Sequence, residues 1–68
     1  MRVDIRAARV NAGLTQKDAA NALGVTQGCL SHWERGSGEP KVTMFFRMCE
    51  LYGAQPNDVF LPEKSRTT

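Results

Sequence analysis

The sequence is poor in metal-ligating side chains. Cys29 and Cys49 stand twenty residues apart with no CxxC spacing, and His32 is the lone imidazole. A tetrahedral zinc site takes four ligands in recognisable pairs, so these three do not make one. One disulfide is open on spacing alone. Both cysteines fall inside apolar helical patterns, however, and the reading taken is two reduced core cysteines of a cytosolic protein. The most apolar segment, residues 42–54, is too short to span a bilayer and is interrupted by Arg47 and Glu50. Asp4, Arg6 and Arg9 break up the first residues, which therefore read as no signal peptide. No stretch alternates apolar and polar residues convincingly, so no strand is expected. There is no Gly-rich phosphate loop and no nucleophile with a base at a readable spacing, so neither an enzyme nor a cofactor is expected.

Size excludes more. At 68 residues and 7.5 kDa the chain is one domain. A core of this size rarely supplies more than about 3–5 kcal/mol, and a large enclosed cofactor pocket is out of reach. The 41% hydrophobic and 24% charged content is ordinary for a globular protein and argues against wholesale disorder. The net charge of +2 sits at the two ends, because residues 10–60 carry four basic and five acidic groups. An anionic partner meets a patchy field rather than a strongly basic surface.

What is present is helix punctuation. A first helix is expected over about Val3–Ala12, with Ile5, Ala8 and Ala12 on one face and Gly13 as its left-handed stop. Thr15 caps a second helix, with Asp18 completing a capping box and Leu14 stapling onto Ala19; Gly24 ends it. Thr26 caps a third, Gln27–Arg35, with Cys29, Leu30 and Trp33 inward and Gly36 as its stop. A fourth is expected over Val42–Tyr52. Its stripe is Val42, Phe45, Cys49 and Tyr52, widened by Phe46 and Met48, and Lys41 is a poor cap. Pro56 opens a short fifth helix through Phe60. The expected fold is all-α, a compact bundle of five short helices over residues 1–61 with a flexible tail at 62–68. Its expected core is Ile5, Leu14, Ala20, Leu23, Val25, Leu30, Trp33, Phe45, Cys49, Tyr52 and Val59.

Two short Thr-capped helices joined by a glycine turn make the helix-turn-helix pattern. Small residues Ala19, Ala20 and Ala22 allow the third helix to cross close over the second. The outer face of the third carries Gln27, Gly28, Ser31, His32 and Arg35, where an ordinary solvated helix carries Glu/Lys pairs. Amides, hydroxyls and guanidinium groups are what read base edges in a major groove. Composition alone leaves that reading level with a plain polar surface.

The runs Gly13-Leu14-Thr15-Gln16, Ala22-Leu23-Gly24-Val25-Thr26-Gln27 and Trp33-Glu34-Arg35-Gly36, at these separations, resemble the lambda-repressor-like, Cro/CI-type (XRE) helix-turn-helix family over about residues 3–61. The resemblance implies a five-helix DNA-binding domain. It places Gln16 and Thr26 at DNA phosphates and Gln27 at the first base-reading position, with Gln16 and Gln27 bracing each other. Ser31 and His32 fall at the next outward positions, near base edges. Arg9 and Glu34 match a structural salt bridge. Gly28 stands where a contacting side chain is usual, leaving room for close backbone approach to a thymine methyl or a phosphate.

Base contacts are thus expected at Gln27, Gly28, Ser31 and His32, and phosphate contacts at Gln16, Thr26, Arg35, Lys41 and Arg6. Phe60, Leu61 and Phe46 are the candidate dimer surface, being more apolar area than one short helix buries. The implied protein is a cytoplasmic transcriptional regulator, a repressor of the small Cro-like or prophage kind. It is bacterial or phage-encoded, associates with the nucleoid when bound, and holds its operator as a two-fold dimer without a cofactor. The loop Ser37-Gly38-Glu39 lacks the basic residues common in the family. That favours an alternative, a protein-interaction module such as an antirepressor or antitoxin-like partner of another regulator. The chain also reads as a possible N-terminal domain of a longer protein, with residues 64–68 as the stump of a linker.

Overall fold

Asp4 decides where the first helix begins. Its carboxylate accepts from the Ala7 N–H at 2.7 Å, so the helix starts at Ile5 rather than Val3. The structure, a computed structural model, describes residues 2–62. It consists of β1 (Val3–Asp4), α1 (Ile5–Asn11), α2 (Gln16–Leu23), α3 (Gln27–Arg35), α4 (Val42–Tyr52), a 3-10 turn over Pro56–Asp58, and β2 (Val59–Phe60). The expected tail lies outside the described residues apart from Pro62.

The helix caps act as the sequence predicts. Thr15 accepts from the Asp18 N–H at 3.0 Å while Asp18 accepts from the Thr15 N–H at 3.5 Å, the reciprocal capping box of α2. Thr26 accepts from the Cys29 N–H at 3.0 Å and opens α3. Gly24 turns left-handed at φ +75°, which lets the Val25 N–H donate to the Ala20 carbonyl at 3.0 Å and sends the chain directly into the Thr26 cap. Lys41 makes no side-chain cap bond, as its chemistry implies.

Two expectations are corrected. The fifth helix is absent at its expected place, and the described residues hold four α-helices. Pro56 starts a single 3-10 turn of three residues, after which Val59 is already extended (φ −119°, ψ 135°). Strand is also present. β2 pairs in parallel with β1, Val3 opposite Val59 and Asp4 opposite Phe60. Each strand is two residues long, too short to show alternation, and the pairing joins the two ends of the described chain.

The core gathers Ile5, Ala8, Ala19, Ala20, Leu23, Leu30, Met48, Cys49, Tyr52 and Val59. Leu14, Val25, Trp33 and Phe45 were expected among them; each packs against the core while remaining partly exposed. Met48, expected only to widen the stripe of α4, is fully buried. Val42, expected in that stripe, is 68% exposed. The buried face of α4 is therefore rotated to positions 48, 49 and 52. Ala22, grouped with the close-crossing alanines, faces solvent, so of the three alanines Ala19 and Ala20 are the buried ones. Cys29 is half-buried and Cys49 buried, and neither is in a disulfide. No helix among the described residues is long and apolar enough to cross a membrane.

Candidate nucleic-acid interface

Thr15 and Thr26, as N-caps, place Gln16 and Gln27 at the first position of their helices. The two glutamines meet: Gln27 Nε2 donates to Gln16 Oε1 at 3.4 Å. Gln16 Nε2 in turn donates to Glu34 Oε1 at 2.9 Å. Glu34 is buried near the end of α3 against Arg9 of α1, whose Nε donates to Glu34 Oε2 at 2.6 Å and whose Nη2 donates to Oε1 at 3.2 Å. Arg9 Nη1 also donates to the Leu14 carbonyl at 2.7 Å, fixing the loop that leads into α2. The exposed Gln27 thus stands at the outer end of a hydrogen-bonded chain rooted in a buried ion pair. The guanidinium reaches three bonds and the carboxylate both of its oxygens, so the desolvated charges are compensated.

Behind this chain lies Tyr52, whose hydroxyl is buried without a hydrogen-bond partner among the described residues. Burial pushes its pKa up to about 12, with the negative field of Glu34 adding to the rise and Arg9 opposing it. Burial also raises the Cys49 thiol.

On the outer side of α3, Gln27, Gly28, His32 and Arg35 are exposed and Ser31 is half-buried. Gly28, Ser31, His32 and Arg35 follow one another at i, i+3, i+4 and i+7, one stripe of the helix. A Cβ at Gly28 would meet nothing within 4 Å, so no internal packing requires a glycine there. Thr26 is exposed beside Gln27. Arg6 on α1, Arg35 at the end of α3 and Lys41 before α4 are exposed and form no ion pair among the described residues. Only Gln16 and Gln27, of the sequence-predicted site residues, are joined directly.

The candidate dimer residues separate into two places. Phe60 and Leu61 line a shallow groove with Val42, Phe45 and Arg2, whose guanidinium lies 5.2 Å from the Phe60 ring centroid. Phe46, 52% exposed, lines a different groove with Arg47, Glu50 and Pro56. Among the described residues no three His, Cys, Asp or Glu side chains gather as a metal cluster.

Sequence reasoning anticipated the Arg9–Glu34 pair and the Gln16–Gln27 brace as separate features. It missed the bond between Gln16 and Glu34, eighteen residues apart, which makes them one chain. No local spacing signals that bond.

The sequence has relatives among known proteins. A family described as helix-turn-helix matches residues 5–59. An uncharacterized HTH-type transcriptional regulator of Methanocaldococcus jannaschii is 32% identical over 50 residues, covering 74% of this chain and 76% of that protein. Another, from Archaeoglobus fulgidus, is 28% identical over 61 residues, covering 90% of this chain and 87% of that protein. No solved structure gives a significant match. With two capped helices crossing at a glycine turn and a family match over most of its length, this chain belongs to the XRE-type helix-turn-helix family.

Proposed function

We propose that the protein is a sequence-specific DNA-binding transcriptional regulator, and that residues 1–61 form the DNA-binding domain. The observation that carries this is the bonded pair Gln16–Gln27 at the adjoining N-termini of α2 and α3, beside the exposed stripe Gly28, Ser31, His32 and Arg35. The names of the two relatives, both HTH-type transcriptional regulators, support it.

In this reading α3 enters the major groove. Gln27, Ser31 and His32 face base edges, and Gly28 lets the helix backbone approach them closely. Gln16 keeps one Nε2–H for a phosphate, Thr26 lies beside the backbone, and Arg35, Lys41 and Arg6 supply cationic contacts. One α3 spans only a few base pairs, so the protein acts as a two-fold dimer through the groove of Phe60 and Leu61, while Phe46, in a separate groove, stands apart from that surface. It is a cytoplasmic repressor of the Cro/CI kind that blocks transcription by occupying its operator.

The exposed Glu39, between Arg35 and Lys41, favours a second reading in which the same face binds a partner protein, as an antirepressor or antitoxin-like module does. Selection of binding sites from random duplex DNA with the purified chain separates the two. The proposal expects a pseudo-palindrome with half-sites about one helical turn apart. No enrichment even at low salt leaves the protein-binding reading.

A further inference from the structure

We infer that Arg2 of one copy pairs with Glu39 of a second copy across the Phe60 groove, and that this pairing removes the charge of Glu39 from the DNA side and so couples self-association to DNA binding. This rests on the dimer and major-groove readings proposed above.

The groove has two walls of opposite charge. One is the loop before α4 with the first turn of that helix, and it supplies Glu39, Val42 and Phe45. The other is the strand pair with its flanks, and it supplies Arg2, Phe60 and Leu61. Arg2 and Glu39 are both exposed, and neither is in an ion pair among the described residues. The Phe60 ring holds the Arg2 guanidinium at the groove, 5.2 Å from the ring centroid. A guanidinium held by a ring face keeps its in-plane N–H donors for a carboxylate.

Such a groove is complementary to its own copy. In a two-fold contact, if residue i meets residue j, then j also meets i. Glu39 then faces the partner's Arg2, Arg2 faces the partner's Glu39, and the exposed Val42 and Phe60 are covered between the two pairs. A partner of a single charge sign would leave one of the two walls facing like charge.

Glu39 belongs to a second groove as well, with Val25, Trp33 and Lys41 on the α3 side. In a lone chain its carboxylate stands between the exposed cations Arg35 and Lys41 and repels a DNA phosphate there. Across the two-fold contact the partner's Arg2 neutralises it. Association of two copies therefore strengthens the hold on the DNA backbone, and by linkage DNA strengthens the association.

A charge swap tests the pair. Sedimentation equilibrium compares the parent, Arg2→Glu, Glu39→Arg and the double variant Arg2→Glu/Glu39→Arg, with matched thermal melts. Both positions are exposed, so the fold is expected to survive. Each single variant sets two like-charge contacts in the interface and should weaken the dimer about tenfold or more, while the double variant should return to within about threefold of the parent. A double variant no tighter than the single variants overturns the pair and leaves the Phe60 dimer standing. A parent that stays monomeric at high concentration and on DNA overturns the dimer reading, and the inference with it.

Glu39→Gln tests the coupling, on duplexes carrying one half-site or the whole selected operator. With one half-site, Glu39 is unpaired, and the variant should bind about two- to threefold more tightly than the parent. On the whole operator the partner's Arg2 neutralises Glu39, and the advantage should vanish or reverse. The same effect on both duplexes, whether a gain or none, overturns the coupling. A parent that enriches no operator overturns the DNA reading and the coupling with it, and the charge swap then still decides the pair.

Discussion

Arg9 and Glu34, on helices α1 and α3, meet as a buried ion pair with Nε 2.6 Å from Oε2. Removing one partner leaves the other desolvated and uncompensated, at a cost of about 3–5 kcal/mol. A core of this size supplies about the same. Glu34→Ala is therefore expected to be largely unfolded at room temperature by circular dichroism, whereas the double variant Arg9→Met/Glu34→Leu recovers helix signal. A single variant that melts like the parent would show the pair to be energetically idle.

Gly28 is a second place where stability and binding part company. Its Cβ position is open and its backbone is ordinary helix, so alanine fits. Gly28→Ala should raise stability by up to about 0.8–1 kcal/mol. It should also lower affinity for the preferred operator, because the added methyl stands where the helix approaches the bases. Chemical denaturation and a DNA titration on the same preparation check both. A stabilised variant with undiminished binding removes Gly28 from the interface.

Tyr52 predicts an alkaline limit. The folded phenol holds its proton to about pH 12, while the unfolded one releases it near the ordinary value of 10. Between those values the unfolded chain has lost a proton that the folded chain retains. The contribution is fully present below pH 10 and is lost as pH rises toward 12, roughly 2–3 kcal/mol in all. The raised Cys49 thiol acts with the same sign. Urea melts from pH 8 to 12 should show Tyr52→Phe losing less stability over this window than the parent. Equal slopes would place the phenol in water.

Phe60 tests the dimer. Its ring is 38% exposed at the rim of the groove with Val42 and Leu61. Phe60→Lys should convert a sedimenting dimer to a monomer with an unchanged circular dichroism spectrum. A parent that remains monomeric at high concentration and on DNA contradicts the dimer.

Much of this architecture is legible in the sequence because its signals are local. Thr15, Thr26, Gly24 and Gly36 set helix boundaries through bonds reaching at most five residues, and the bounds of α2 and α3 follow from them. The β1–β2 pair is not legible, since Val3 and Val59 have no sequence relation before the chain folds. The facing of α4 is ambiguous by one position. Phe45, Phe46, Met48 and Cys49 are all apolar, and only packing selects Met48 and Cys49 for burial while Phe46 stays 52% exposed. At the interface the sequence indicates which residues lie outward. The bond from Gln16 to Glu34, which gives the outward amide its direction, depends on α2 and α3 being docked.

The central claim is that Gln27 reads a base. Its most direct test compares parent and Gln27→Ala on the selected operator and on an unrelated duplex at one salt concentration. The account predicts a loss of about 1–3 kcal/mol per half-site on the operator, relaxed preference at one base pair, and little change on the unrelated duplex. Equal losses on both duplexes, or none on either, would contradict it.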